Sequence, residues 1–342
     1  MKKACQILVC LVAINFISVN FGPPVSAQAK PITKINIGGG RVGDPWYILS
    51  EALANFINKK SDWLRATVVA TPGLTGVYEL ARKNPKVYMG AVDPCNFVHM
   101  QRDPYGKAHD YYNQMRFISV GASMTWLWVT YDDSIKTPED FIGKKVNVGR
   151  KAAARTPDEV AVLKAWGVLD KVKLIQSGYG GAKRNLKDGL VDIACIIFDH
   201  IYPTTFSKGA FITDLETKGP IYYIGMDSDM IDKIRMEGPG GIIAARVPAK
   251  SLDPATQPKD LWAGGFPTFF GADMRMDPAV VYEVTRVIFE SAGEFSKWHP
   301  QGRHFTKDFI PSVLDVKYIH PGAKKYYDDN NIKIKNLSDM LR

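Results

Sequence analysis

Cysteine is scarce in this sequence: four among 342 residues, two of them, Cys5 and Cys10, within the first ten. Cys95 and Cys195 remain, each at the end of an apolar strand pattern. An oxidising compartment would permit a disulfide between them, but the organisation below puts them in different lobes and points to two buried free thiols. Metal spacing is missing too. The six histidines include no H-E-x-x-H, and neither cysteine has a partner motif, so no metal is expected. No G-x-S-x-G elbow accompanies Asp199-His200, which argues against a hydrolase triad. No Arg/Lys block or interleaved stacking aromatics occurs, so nucleic acid is not an expected partner despite a formal net charge of +9. Low-complexity tracts and short repeats are absent as well.

What is present begins with a leader. Lys2 and Lys3 precede a 13-residue apolar stretch over 7–19, followed by a Gly-Pro-Pro turn and the small-residue run Val25-Ser-Ala-Gln-Ala29. This is the layout of a secretory signal peptide over residues 1–27, with cleavage after Ala27 or Ala29. The stretch falls short of the roughly 20 residues a transmembrane helix needs. Val9 before Cys10 is too large for a lipid-attachment signal. Loss of two lysines and no acids with the leader lowers the net charge from +9 to +7. An exported basic chain of this size is expected to fold as two lobes.

Strand and helix patterns then alternate, implying an α/β fold with a mostly parallel sheet in each lobe and helices on both faces. Residues 34–37 read as a strand, and Asp44-Pro45 as N-cap and first helical residue, with Leu49, Leu53, Phe56 and Ile57 as the apolar stripe. A strand over 66–70 ends in Thr71-Pro-Gly-Leu-Thr-Gly76 before a helix over 77–83, and a third strand over 87–92 ends at Asp93-Pro-Cys95. Residues 117–131 are rich in strand formers, and 137–143 read as a short helix with a glycine stop. The rhythm then restarts: a strand over 145–148, a Gly/Ala-rich loop to Arg155, and Thr156-Pro-Asp-Glu159 as a capping box for a helix ending at Gly167. Strands over 172–175 and 191–198 follow, ending in Gly178-Tyr-Gly-Gly181 and Asp199-His200. A strand over 262–274 carries the chain back, and Asp277-Pro278 caps a helix over 279–290. The expected division is 31–128 plus 264–342 for the first lobe and 129–263 for the second.

The glycines at 38, 40 and 43 fit G-x-G-x-x-G, yet a dinucleotide site also needs an acid ending the second strand. That strand reads Val68-Val-Ala-Thr71-Pro, and Asp44 would set a carboxylate where the pyrophosphate should lie. No cofactor is therefore expected. The same helix-terminus physics suits a smaller anion, since the first amides of a helix are unpaired and partly positive and glycines let a ligand approach. Two such loops, near 40 and near 150, suit a ligand clamped between lobes.

The chain resembles the TAXI family, the solute-binding receptors of TRAP-type transporters, over essentially all residues after the leader. The resemblance rests on the glycine loop with Trp46-Tyr47, on Ile135-Lys-Thr-Pro-Glu-Asp-Phe-Ile-Gly-Lys-Lys-Val-Asn-Val-Gly149, and on Lys187-Asp-Gly-Leu-Val-Asp192. It extends through 277–290 and, most specifically, Ile319-His-Pro-Gly-Ala-Lys-Lys-Tyr-Tyr327. It implies a two-lobed periplasmic-binding-protein fold joined by two crossing strands, a periplasmic location, and no enzymatic activity. It also implies a small organic anion, a carboxylate or acidic amino acid, delivered to a TRAP membrane permease by a receptor expected to be monomeric. Many relatives take glutamate-like or other dicarboxylate ligands. Two positions depart from the family pattern: Ala154-Arg155-Thr156 stands for Ser-Gly-Thr, and Thr75-Gly-Val-Tyr78 for Ser-x-x-Asn.

Candidate ligand residues follow from both readings. In the first lobe they are Gly39, Gly40 and Gly43 as backbone donors, Trp46 and Tyr47 as an aromatic wall and hydroxyl, Gly73, Leu74 and Thr75 in the next loop, and Asp93. In the second they are Arg155 as a bidentate carboxylate partner, Thr156, Tyr179, Asp199 and Tyr202, with Trp126 on the crossing strand. For Trp46 and Trp126 the alternative is core packing; for Asp93, loop capping; for Arg155, a solvated surface position. An exported hydrolase or transferase on a similar scaffold, or a binding protein serving a sensor or another transporter, are the competing functions.

Overall fold

Two long strands organise the molecule. In the computed structural model, which describes residues 30–93, 114–150, 155–201, 205–237 and 241–340, β4 (Met115–Thr130) and β11 (Leu261–Asp273) run antiparallel through one eleven-stranded sheet. Both segments are dense in aromatic and β-branched residues, which suit a pleated surface covered on both faces.

On one side of this pair, β1 (Thr33–Gly38) lies between β2 (Leu64–Val69) and β3 (Tyr88–Val92), parallel to both, and β3 joins β11. On the other side, β7 (Ile193–Ile201) pairs antiparallel with β4 and parallel with β5 (Lys145–Val148), which pairs in parallel with β6 (Lys173–Gln176). The path is therefore β2-β1-β3-β11-β4-β7-β5-β6. Short strands β8 (Thr205–Ser207), β9 (Tyr222–Ile224) and β10 (Ile243–Val247) add to β7, β4 and β11 respectively.

Each half has its own core. Ile37, Leu53, Phe117, Phe269 and Phe305 belong to the first, and Trp126, Trp128, Phe141, Ile193 and Phe198 to the second. The changeover falls inside the crossing strands, between Ala122 and Trp126 on β4 and between Phe266 and Phe269 on β11, where β11 also shifts register. This is a two-lobed α/β architecture with two crossing strands. Trp126 and Trp128 share a face of β4, as their spacing requires, and meet edge to face at 5.9 Å inside the second core.

Helices cover the parallel strands. They are α1 (Pro45–Lys60), α2 (Leu74–Lys83), α3 (Thr156–Ala165), α4 (Tyr179–Lys187), α5 (Gly209–Glu216), α6 (Ser228–Glu237), α7 (Pro278–Glu290) and α8 (Pro321–Asp329). The His-Pro-Gly-Ala phrase starts α8. His320 Nδ1 accepts the Gly322 N–H at 3.1 Å, and a Cβ on Gly322 would come within 2.2 Å of the Pro278 carbonyl oxygen. The phrase thus seats α8 directly on α7.

Two local expectations need correction. Thr156-Pro-Asp-Glu159 forms no capping box: Arg155 is the N-cap, the Thr156 hydroxyl donates to the Arg150 carbonyl at 3.0 Å, and Glu159 turns to Gly149 and Arg155. A true capping box forms instead at Thr137 and Asp140, before the short 3-10 turn Pro138–Phe141. Asp44 precedes α1 without capping it, because its carboxylate accepts the Arg41 N–H at 3.2 Å. The expected signal peptide, Cys95 and Tyr202 lie outside the described residues. Among the described residues, no helix is long and apolar enough to cross a membrane.

Candidate functional site

Between the halves, over the changeover in β4 and β11, lies a cavity of about 840 Å³. In an open α/β sheet the loops leaving the carboxyl ends of the strands converge at such a crevice. Gly39, Gly40, Arg41, Gly73 and Asp93 reach it from the ends of β1, β2 and β3, and Gly149, Arg150 and the Gly178–Gly181 turn from the ends of β5 and β6. Met124 and Phe266 come from the crossing strands.

The first glycine loop is built for packing more than for donation. A Cβ on Gly39 would lie 2.8 Å from the Tyr47 Cα, and Gly40 has φ of 89°, so both positions require glycine. Their amides are already used: Gly39 N–H donates to the Val69 carbonyl at 3.3 Å, and Gly40 N–H to Thr71 Oγ1 at 3.1 Å. Thr71 in turn donates to the Gly73 carbonyl at 2.8 Å, tying the two loops together. Gly39 and Gly40 line the cavity without offering open backbone donors, and Gly43 stands outside the lining. Trp46 lines it as a residue 95% buried, its ring edge-on to Phe270 at 5.2 Å; Tyr47 does not reach it. Asp93 lines it from the end of β3 and is almost fully buried.

In the second half the arrangement differs from the sequence expectation. Arg155 lines the cavity but is buried, not solvated. Its Nε lies 2.9 Å from Glu159 Oε1, its Nη1 donates to Cys195 Sγ at 3.5 Å, and the guanidinium sits 4.1 Å above the Tyr179 ring. Nη2 has no hydrogen-bond partner among the described residues. Burial works against the Arg155 charge, but Glu159, Tyr179 and Cys195 raise its pKa overall. Burial raises the Glu159 carboxyl above the usual range, opposed by Arg155 and by the Gly149 N–H, which donates to Glu159 at 2.6 Å. Burial, then Glu159, pushes the free Cys195 thiol far up, which keeps it protonated and unreactive at neutral pH. Arg155 is therefore first a strut, fixing Tyr179 at the start of α4.

That start opens on the cavity. Ala182 N–H is the first of α4 to bond within the helix, to the Gly178 carbonyl at 2.8 Å, so the amides of Tyr179, Gly180 and Gly181 precede the helical ladder. No acid occupies the first turn, and a Cβ on Gly180 would meet nothing. The Gly180 and Gly181 amides are partly positive donors on the wall beside Tyr179, which suits an anionic group.

Two arginines complete the electrostatics and were not singled out from the sequence. Arg41 and Arg150 are exposed, line the cavity from opposite halves, and have no ion-pair partner among the described residues. A signal existed: in each half the first strand is followed by Gly-Arg, at Gly40-Arg41 and Gly149-Arg150. The Thr156 hydroxyl fixes the Arg150 backbone, so Thr156 positions a lining residue and does not itself line the cavity. Trp126, fully buried in the second core, is absent from the lining because it packs against the Gly264 backbone, where a Cβ would lie 2.5 Å from its ring. His299 and Gln301 also line the cavity and carry no sequence signal we recognise. Gly73 lines it as the N-cap of α2; the side chains of Leu74, Thr75 and Asp199 lie outside what the structure describes.

Residues 37–330 match the NMT1-like family. Comparison with curated proteins gives no match. Among solved structures, a TctC solute binding protein from Polaromonas aligns with a TM-score of 0.51 at 15% identity, covering 81% of this chain and 90% of its own. The periplasmic aliphatic sulphonate binding protein SsuA from Escherichia coli aligns at 0.46 and 13% identity, over 91% of this chain and 98% of its own. The first likeness identifies the fold as that of a two-lobed periplasmic binding protein.

Proposed function

This chain belongs to the NMT1-like family, and from that premise we propose that it is an extracytoplasmic solute-binding receptor. It captures a small organic anion, a carboxylate or acidic amino acid, in the cavity between its halves. One observation carries the reading. Loops from both halves reach a single 840 Å³ cavity, where Arg41 and Arg150 lie on opposite sides and the first-turn amides of α4 form part of the wall.

Such a site gains most when it closes. A ligand touching one half alone leaves its other face in water. Rotation about β4 and β11, where the two cores meet, would bring the second set of donors onto it and exclude solvent. The two cores shift the expected bounds of 128/129 and 263/264 slightly: the proposed bodies are residues 31–122 with 269–342, and 126–266, because Trp126, Trp128 and Phe266 pack in the second core. A charged hydrogen bond from each half contributes roughly 1.5–3 kcal/mol.

The TAXI-like phrases at 135–149 and 319–327 support assignment to a TRAP-type transporter, with the loaded receptor passing its ligand to a membrane permease. The leader pattern over 1–27 supports a periplasmic location. Screening carboxylates and amino acids by thermal shift, with calorimetry on the hits, tests the reading. A ligand at 100 times its Kd stabilises a receptor by about 2.7 kcal/mol and is recovered chemically unchanged. Turnover of the bound compound would replace the receptor with an enzyme.

A further inference from the structure

The cavity walls say more about the guest, given the receptor reading on which this inference rests. Trp46, Met124, Ile197, Phe198, Phe211 and Phe266 put apolar surface on the cavity, five of them from the side of the second half or the crossing strands. Charge is confined and asymmetric. Asp44 and Asp93 both stand on the first half, and Asp44 lies three residues from Arg41 with its carboxylate on the Arg41 amide, offsetting that arginine. The second half presents Arg150 and the first turn of α4, with Arg155 balanced by buried Glu159, and among the described residues it contributes no carboxylate to the lining.

We infer that the preferred ligand is an organic anion with one carboxylate head and a ring-sized apolar body, in preference to a small diacid. The head meets Arg150 and the amides of Gly180 and Gly181. The body lies against Phe198, Phe211 and Phe266, with Trp46 covering it from the first half. A second carboxylate at the far end would lose water against apolar walls and face Asp44 and Asp93, where the Arg41 charge is already offset by Asp44. Cavity volume agrees: about 840 Å³ lies toward the upper end of the roughly 300–1,000 Å³ of pockets that enclose drug-sized ligands.

Calorimetry of the purified protein with 3-phenylpropionate and with glutarate, at matched ionic strength, tests this. The expected result is at least tenfold tighter binding of 3-phenylpropionate. Phe211→Ala is expected to weaken that ligand about fivefold and leave glutarate unchanged. Glutarate binding equally well or better overturns the inference while leaving an anion receptor in place. Failure of both, together with benzoate, hexanoate, succinate and glutamate, overturns the receptor reading and this inference with it.

Discussion

Arg155 and Glu159 form a buried ion pair one helical turn apart, Nε to Oε1 2.9 Å, with side-chain exposures of 5% and 0%. Removing one partner of such a pair strands the other charge away from water, at about 3–5 kcal/mol. Glu159→Gln should therefore lower the unfolding free energy by about that much in urea titrations. Arg155→Met combined with Glu159→Gln should recover part of the loss, because no bare charge then remains. A Glu159→Gln protein as stable as the parent would contradict the pairing.

Arg41 and Arg150 are the guanidinium groups without an ion pair on the cavity wall. Arg150→Ala should weaken the anionic ligand about tenfold, near the low end for a charged hydrogen bond, and Arg41→Ala by less, because Asp44 offsets it. Stability should stay within about 0.5 kcal/mol, as for exposed side chains without structural partners. Calorimetry and thermal melts on the same samples separate the two effects. Unchanged affinity in both variants removes them from the site.

Gly180 offers a sharper probe of α4. A side chain there meets no neighbour, and an acid in the first turn of a helix is itself stabilising by about 0.3–1 kcal/mol. Gly180→Asp should fold normally and lose anion binding by more than tenfold, whereas Gly180→Ala should bind like the parent. If the aspartate variant binds normally, the first turn of α4 does not face the ligand.

Acid should destabilise the fold through two buried histidines. Burial, with a smaller contribution from His200, pushes the His304 imidazole down to about 3; burial, with Arg116 adding and Asp273 opposing, takes His320 down to about 4. In the unfolded chain both bind protons near pH 6.5, which the folded protein refuses until about pH 4 or 3. Stability is thus full above pH 6.5 and is lost as the pH falls through that window, by about 2 kcal/mol per histidine at pH 5. Neither His304 ring nitrogen has a hydrogen-bond partner among the described residues, so His304→Leu should roughly halve the drop between pH 7 and 5 in urea midpoints. An unaltered pH slope would count against a neutral buried His304.

Local pattern carried much of the fold into the sequence. The strand-former density of 117–131 and 262–274 marked the crossing strands, and the strand-loop-helix rhythm marked the parallel sheet on either side. Loop positions near 40 and 150 were legible for the same reason. Which donors stay open was not, because long-range partners decide it: Gly40 loses its amide to Thr71, 31 residues away. The Arg155–Glu159 ion pair was not legible, because Glu159, four residues on, fits a capping box as readily as an ion pair. Only the burial of both residues decides between these uses. Arg41 and Arg150 went unread because an arginine after a glycine loop has no meaning until both loops face one space.

A crystal structure with a bound organic carboxylate tests the central claim most directly. The carboxylate should lie in the cavity between the halves, within hydrogen-bond distance of Arg150 or the Gly180 and Gly181 amides, with the body of the ligand covered from the Trp46 side. An anion held by one half alone, or bound outside this cavity, would contradict the account.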